Sequence, residues 1–291
     1  MTFHLALALA LSGAEVFPTV HRHPGGEQDV LANAYLIELE SGVIAVDATM
    51  TVAESAKLRK ELLSLRKPLL AVLITHGHPD HYGGVTGLVA GENVPVIASR
   101  EVDRIIRRDD EAKGRALKAA GIPWVERRTF PSRTLADGES VAFGSVRFTV
   151  HDAGPGESHA DSYWTMEGAS KGAFIGDLAM NHVHGFLADG HSGAWLKKLD
   201  GIKSSLRTAG TIYPGHGEPG GLELLDWTKA YLEAYRRNVR DLARGQPSLS
   251  AEQEAELSRR MAVFLPENRV PQFVIRSADA VAAELARSRG H

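Results

Sequence analysis

Three histidines and an aspartate fall within six residues of this 291-residue chain, in the run Thr75-His76-Gly77-His78-Pro79-Asp80-His81. Imidazole and carboxylate groups crowded at the end of an apolar stretch are costly to desolvate unless something compensates them. A divalent cation does, and nitrogen and oxygen donors of this kind suit zinc, iron or manganese. Histidines two residues apart on an extended loop can face one ion, which leaves Asp80 and His81 to turn toward a second. Two ions need more donors than one loop supplies. Downstream, His159 stands in Gly156-Glu157-Ser158-His159-Ala160-Asp161-Ser162, Asp177 follows an apolar run in Gly176-Asp177, and His216 lies in Pro214-Gly215-His216-Gly217. Each sits in a glycine-containing segment beside an expected strand, where backbone can come close to an ion. His151 competes with His159 for its place.

The chain has 13 histidines and no cysteine. Thiolate nucleophiles, disulfides, iron–sulfur clusters and sulfur-ligated zinc are thereby excluded, and any metal chemistry must use nitrogen and oxygen.

Such donors need a scaffold, and the hydropathy pattern supplies one. Residues 34–40 and 43–47 are apolar runs on either side of Ser41-Gly42, a hairpin signature. Residues 52–65 carry apolar side chains at helical spacing before Pro68, and residues 69–75 form a buried strand that delivers the histidine run. A helix is expected over 82–90, a strand over 95–98 and a polar helix over 110–120. Residues 124–150 read as an antiparallel stretch of short strands, with further strands at 163–166, 172–175 and 211–213 and a helix at 194–206. No GxxxxGK[ST] phosphate loop is present. Two successive strand-rich halves, each with helices, predict an α/β (α+β) four-layer sandwich over residues 1–221. Helices at 222–244, 251–264 and 278–287 then form a C-terminal extension, whose expected role is packing, homo-oligomer contact or lining of a pocket.

Taken in order from Thr75 to Gly217, the HxHxDH run, the later histidine, the Gly-Asp pair and the final GHG resemble the metallo-β-lactamase superfamily. The resemblance implies that family's αββα sandwich. It also implies two divalent ions, zinc or alternatively iron or manganese: one held by His76, His78 and His159, the other by Asp80, His81 and His216, with Asp177 bridging. The third motif departs from the usual GHTxGS, reading GESHADS. Paired ions roughly 3.5 to 4 Å apart make water nucleophilic near neutral pH, and the catalytic role expected of Asp80 is to orient that water and pass a proton to the leaving group. Asp47 is expected either to hold a ligand histidine in one tautomer or to cap the helix that follows it. Candidate substrate contacts are Asn181, His182, His184 and Tyr82.

A bridging aspartate and no cysteine place the resemblance nearer glyoxalase II-like thioesterases and lactonases than antibiotic-degrading members. The expected reaction is hydrolysis of a small carboxylic ester, thioester or lactone. Alternatives are β-lactamase-like amide hydrolysis, then phosphodiester cleavage, and outside catalysis a metal-binding scaffold. The chain is 43% hydrophobic and 24% charged with net charge −3, and without a Lys/Arg run it carries no footprint for nucleic acid. The expected partner is a small molecule. Residues 5–11 (LALALAL) before Ser12-Gly13-Ala14 look superficially like a secretory signal, but no Lys or Arg precedes them and the run is too short for a bilayer. A cytoplasmic protein with no membrane partner is expected, with periplasmic or secreted placement as the alternative.

Overall fold

A computed structural model describes residues 18–288; the apolar run at 5–11 lies outside them. The Ser41-Gly42 turn joins β2 (Asn33–Glu38) to β3 (Val43–Val46) as an antiparallel pair, with Tyr35 opposite Val46 and Glu38 opposite Val43. β1 (Thr19–Pro24) flanks β2 antiparallel. The Thr51 hydroxyl accepts from the Glu54 amide and starts α1 (Val52–Ser64). That helix crosses to β4 (Leu69–Leu73), parallel to β3. There follow α2 (Pro79–Tyr82), α3 (Val85–Val89), β5 (Val96–Ser99), α4 (Arg100–Ala119) and β6 (Arg133–Leu135). Among the described residues the first sheet runs β1-β2-β3-β4-β5-β6.

β7 (Ser140–Phe143), β8 (Val146–Gly154), β9 (Asp161–Glu167) and β10 (Gly172–Met180) form an antiparallel meander, and α5 (Ser192–Ser205) carries the chain over to β11 (Thr211–His216), parallel to β10. The two sheets face each other through Ile37, Ile44, Leu73, Phe148, Trp164 and Phe174. Fully burying side chains of this size stabilises by roughly 1.5 to 3 kcal/mol each. Leu58, Leu62, Leu88, Val102 and Ile106 attach α1, α3 and α4 to the outside of the first sheet. On the outside of the second sheet, α5 packs in one core with α6 (Glu223–Ala243), α7 (Ala251–Phe264) and α8 (Gln272–Arg287) through Trp195, Leu199, Tyr235, Leu257 and Val281. The result is the four-layer αββα sandwich that the pattern predicts.

Four local expectations are corrected. α4 begins ten residues before position 110, because Ser99 caps it and Val102, Ile105 and Ile106 give it an apolar face. α8 likewise begins six residues before 278, with Phe273 and Val274 buried in its first turn. The helix expected over 82–90 is broken at Gly83-Gly84, where a Cβ on Gly84 would stand 1.9 Å from the Ala48 carbonyl oxygen. β6 leaves the expected antiparallel run and pairs parallel with β5, so the chain changes sheets between β6 and β7. Among the described residues no helix is long and apolar enough to cross a membrane.

Candidate metal centre

β4 delivers Thr75 to the edge of the sandwich, and the chain then turns through His76-Gly77-His78 into α2. His78 is the extended N-cap and Pro79 the first helical residue, so one helical turn suffices to bring Asp80 and His81 inward. The second sheet meets this loop with the segment between β8 and β9, with Asp177 on β10 and with His216 at the end of β11. The two sheets are stitched together here: the Ser162 amide and hydroxyl both donate to the Thr75 carbonyl, at 3.0 and 2.7 Å. Gly215 is required by close approach, since a Cβ there would lie 1.8 Å from Asp177 Oδ1.

Three overlapping donor groups converge: His76, His78 and Glu157; Asp80, His81 and His216; and His76, His81 and Asp177, all buried. A tetrahedral zinc holds its ligands at roughly 2.0 to 2.2 Å, which separates neighbouring donor atoms by about 3.3 to 3.6 Å. Here Asp80 Oδ2 lies 3.4 Å from both His81 Nε2 and His216 Nε2, and His76 Nε2 lies 3.4 Å from Glu157 Oε2. Asp177 places Oδ1 3.3 Å from His81 Nε2 and Oδ2 3.1 Å from His216 Nε2. His78 Nδ1 is closer, 2.8 Å from Glu157 Oε2. Seven buried atoms of this cluster have no hydrogen-bond partner: His76 Nε2, His81 Nε2, both nitrogens of His216, both oxygens of Glu157, and Asp177 Oδ1. Buried polar atoms are rarely left so. Orphaned donor atoms aimed at one another with ligand spacing fit divalent metal.

Asp47 orders the tautomers. Its carboxylate accepts from the Thr75 amide at 2.9 Å, the Thr75 hydroxyl at 2.8 Å and His81 Nδ1 at 2.8 Å. With its proton given to Asp47, the Thr75 hydroxyl accepts from His76 Nδ1 at 3.1 Å. Both histidines therefore turn Nε2 to the cluster. Asp47 is not the cap of α1, which is Thr51. Asp47 and Thr49 have φ of 57° and 64°, a left-handed conformation that costs roughly 1 to 3 kcal/mol per non-glycine residue. Hydrogen bonds from Met50 and Thr51 to the buried Asp29 hold this segment in place.

A family model described as the metallo-beta-lactamase superfamily matches residues 28–216. The chain belongs to this superfamily. Among its relatives, an (R)-specific secondary-alkylsulfatase of a Pseudomonas species is 36% identical over 78 residues, 26% of this chain and 11% of that protein. A hydroxyacylglutathione hydrolase of Gloeobacter violaceus is 27% identical over 209 residues, 65% of this chain and 73% of that one. The chain thus spans only about a ninth of the alkylsulfatase. A solved metallo-beta-lactamase from Pontibacter korlensis has the same fold, with a TM-score of 0.58 at 21% identity over 69% of this chain and 87% of that one. The protein accordingly carries the metallo-β-lactamase fold, of a superfamily whose centre is binuclear and metal-dependent.

Within the superfamily site, His76, His78, Asp80, His81, Asp177 and His216 come together as expected from the motifs, and His159 does not. Glu157 stands beside His76 and His78 in its stead. The reason is local: the Ser158 amide and hydroxyl bond to Asp161, at 2.8 Å for the hydroxyl, and the Gly156 amide donates to the Ser158 carbonyl. This turn buries positions 157 and 158 and leaves His159 half-buried beside the cluster, its Nδ1 2.8 Å from His191 Nε2 and its Nε2 3.6 Å from Asp189 Oδ2. His151 is remote, paired with Thr165 and stacked on Tyr163. The only sequence signal for Glu157 was its place directly after Pro155-Gly156.

The four proposed substrate contacts lie elsewhere. Tyr82 is buried and donates to Asp110 at 3.0 Å. Exposed His182 stacks on Trp227; buried His184 bonds to Tyr231 and Asn268; the Asn181 amide group donates to the Glu218 carbonyl. Residues whose roles the sequence did not reveal are Asp189, 3.3 Å from His78 Nε2, and Lys113, whose Nζ donates to the Gly77 carbonyl at 2.7 Å between two site histidines.

The electrostatics favour a cation. Burial opposes charge on His78 and His216, yet Glu157 beside the first and Asp177 beside the second raise both to about 10. Burial likewise opposes ionisation of Asp80 and Asp177, and the surrounding histidines override it and hold both carboxyls well below their usual range. For Glu157 burial wins, pushing it up to about 8. Ionised Asp80 and Asp177 facing positive His81 and His216 at full burial are the charge pattern that metal ions replace when they displace the protons. A cavity of about 330 Å³ opens onto His78, Asp80, Glu157 and Asp177, with Met50, Leu117, Ile122, Phe186 and Phe273 among its apolar walls.

Proposed function

We propose that this chain is a binuclear metal-dependent hydrolase of small carboxylic esters, thioesters or lactones with an apolar body. The observation that carries the reading is the cavity: small, walled mainly by apolar side chains, and floored by the converging donors. His76, His78 and Glu157 would hold one ion, Asp80, His81 and His216 the other, and Asp177 both. Zinc suits this nitrogen and oxygen set. When bound, such a pair supplies a water activated near neutral pH and polarises the bond under attack. Asp80, kept ionised and lining the cavity, would orient that water and return its proton to the leaving group. The apolar walls exclude bulk water and hold the substrate body in place.

A second reading, sulfate-ester hydrolysis, is favoured by the local match to the secondary-alkylsulfatase. The test is a hydrolysis panel on metal-replete protein: a nitrophenyl ester, a thioester, an acyl-homoserine lactone, a cephalosporin, bis-nitrophenyl phosphate and an alkyl sulfate. Turnover of the carboxyl substrates is expected. Turnover confined to the phosphodiester or the sulfate would overturn the first reading.

A further inference from the structure

We propose that Arg276 receives an anionic group at the far end of the substrate, so that the preferred substrate is an amphiphilic anion: an ester or lactone whose apolar body ends in a carboxylate. The proposal rests on the reading of the site as a carboxyl-ester hydrolase.

The cavity has two cations on its wall, Lys113 from α4 and Arg276 from α8. They are differently engaged. The Lys113 amine donates to the Gly77 carbonyl and stands 4.0 Å from Asp109, so it belongs to the floor of the site and holds the histidine loop. Arg276 is exposed and makes no hydrogen bond or ion pair with any described residue, whereas Arg22, Arg128 and Arg236 all do. A guanidinium with all its donors open to a ligand cavity is matched by a carboxylate, which it can grip through two parallel hydrogen bonds.

A continuous apolar path connects this cation to the centre. The Phe186 ring meets His78 edge-on at 5.2 Å between centroids, and Phe273 meets Phe186 at 5.3 Å. Phe273 and Arg276 are three residues apart on α8, hence neighbours on one helix face. A substrate with its ester at Asp80 therefore runs its body along Phe186 and Phe273 and brings its other end to Arg276. At about 330 Å³ the cavity is at the small end of ligand sites, so the body is short.

Metal-replete full-length protein is assayed with 4-nitrophenyl hexanoate and mono-4-nitrophenyl adipate, which differ only in the terminal carboxylate. Wild type is expected to favour the adipate ester in kcat/KM, and Arg276→Gln to lower that preference by about 10- to 100-fold, mostly through KM, with partial recovery in Arg276→Lys. Equal kcat/KM for the two esters in wild type, or an unchanged preference in Arg276→Gln, overturns the proposal. If neither ester is hydrolysed, the ester reading fails by itself, and calorimetry with adipate and hexanoate as ligands decides the present point. Tighter binding of adipate that is lost in Arg276→Gln supports it; equal binding overturns it.

Discussion

The two halves of the candidate metal centre share one loop and are closed by different means. Around His81 and His216 the donors come from α2, from β10 where its register against β11 shifts, and from the end of β11, and Asp47 fixes His81 from behind. Around His76 and His78 the third donor is a glutamate on the irregular turn between β8 and β9, and His78 is backed by Asp189 from the loop before α5. The first half therefore draws its donors from helix and strand, and the second takes its third donor from a loop. The glutamate also changes the charge. Two divalent ions facing Asp80, Asp177 and Glu157 would keep one net positive charge, where a histidine in that place would leave two. Such a centre is a milder electrophile and tolerates an anionic substrate less through the ions themselves, which gives a cation at the cavity mouth something to do.

This contrast can be broken in several ways. Removing metal from both halves with a chelator is expected to lower turnover by roughly a thousandfold or more, with recovery on adding zinc; activity that survives chelation would remove the basis for either half. Asp177→Asn, which touches both, should reduce bound metal from two ions to fewer than one per chain by elemental analysis and cost about a thousandfold in kcat. Glu157→Gln should empty one half only, leaving about one ion and roughly a hundredfold lower kcat. His159→Ala should hold both ions and stay within about threefold of wild type. If those last two results were exchanged, the assignment of the glutamate would be wrong.

The smaller effects sharpen the same comparison. Asp47→Asn and Asp189→Asn should each weaken metal affinity by roughly 10- to 100-fold in competition with a chromophoric chelator, Asp47 the more, because it orders His81 directly and His76 through Thr75. Tyr82→Phe removes one buried hydrogen bond to Asp110, which keeps its Arg128 partner. A loss of about 1 kcal/mol in urea unfolding with unchanged kcat is expected; a fall in kcat would restore Tyr82 to the active site.

The hairpin at Ser41-Gly42 and the buried strand before His76 were determined by the sequence, because each depends on local features, turn residues and period; the grouping of His76, His78, Asp80, His81, Asp177 and His216 was legible through the motifs that carry the family resemblance. The choice of Glu157 over His159 was decided only by tertiary structure. Glu157 lies three residues after the end of β8 and His159 two before the start of β9, and which one faces inward depends on the Ser158–Asp161 hydrogen bonds and on how the turn meets β4 across the sandwich. The same holds for Asn181, His182 and His184, polar residues near a metal ligand that turn instead to Glu218, Trp227 and Tyr231. The cavity was hidden for a like reason. Its wall joins residues as distant as Met50, Lys113, Phe186 and Arg276, and no spacing along a chain encodes a contact made by packing α8 beside α4.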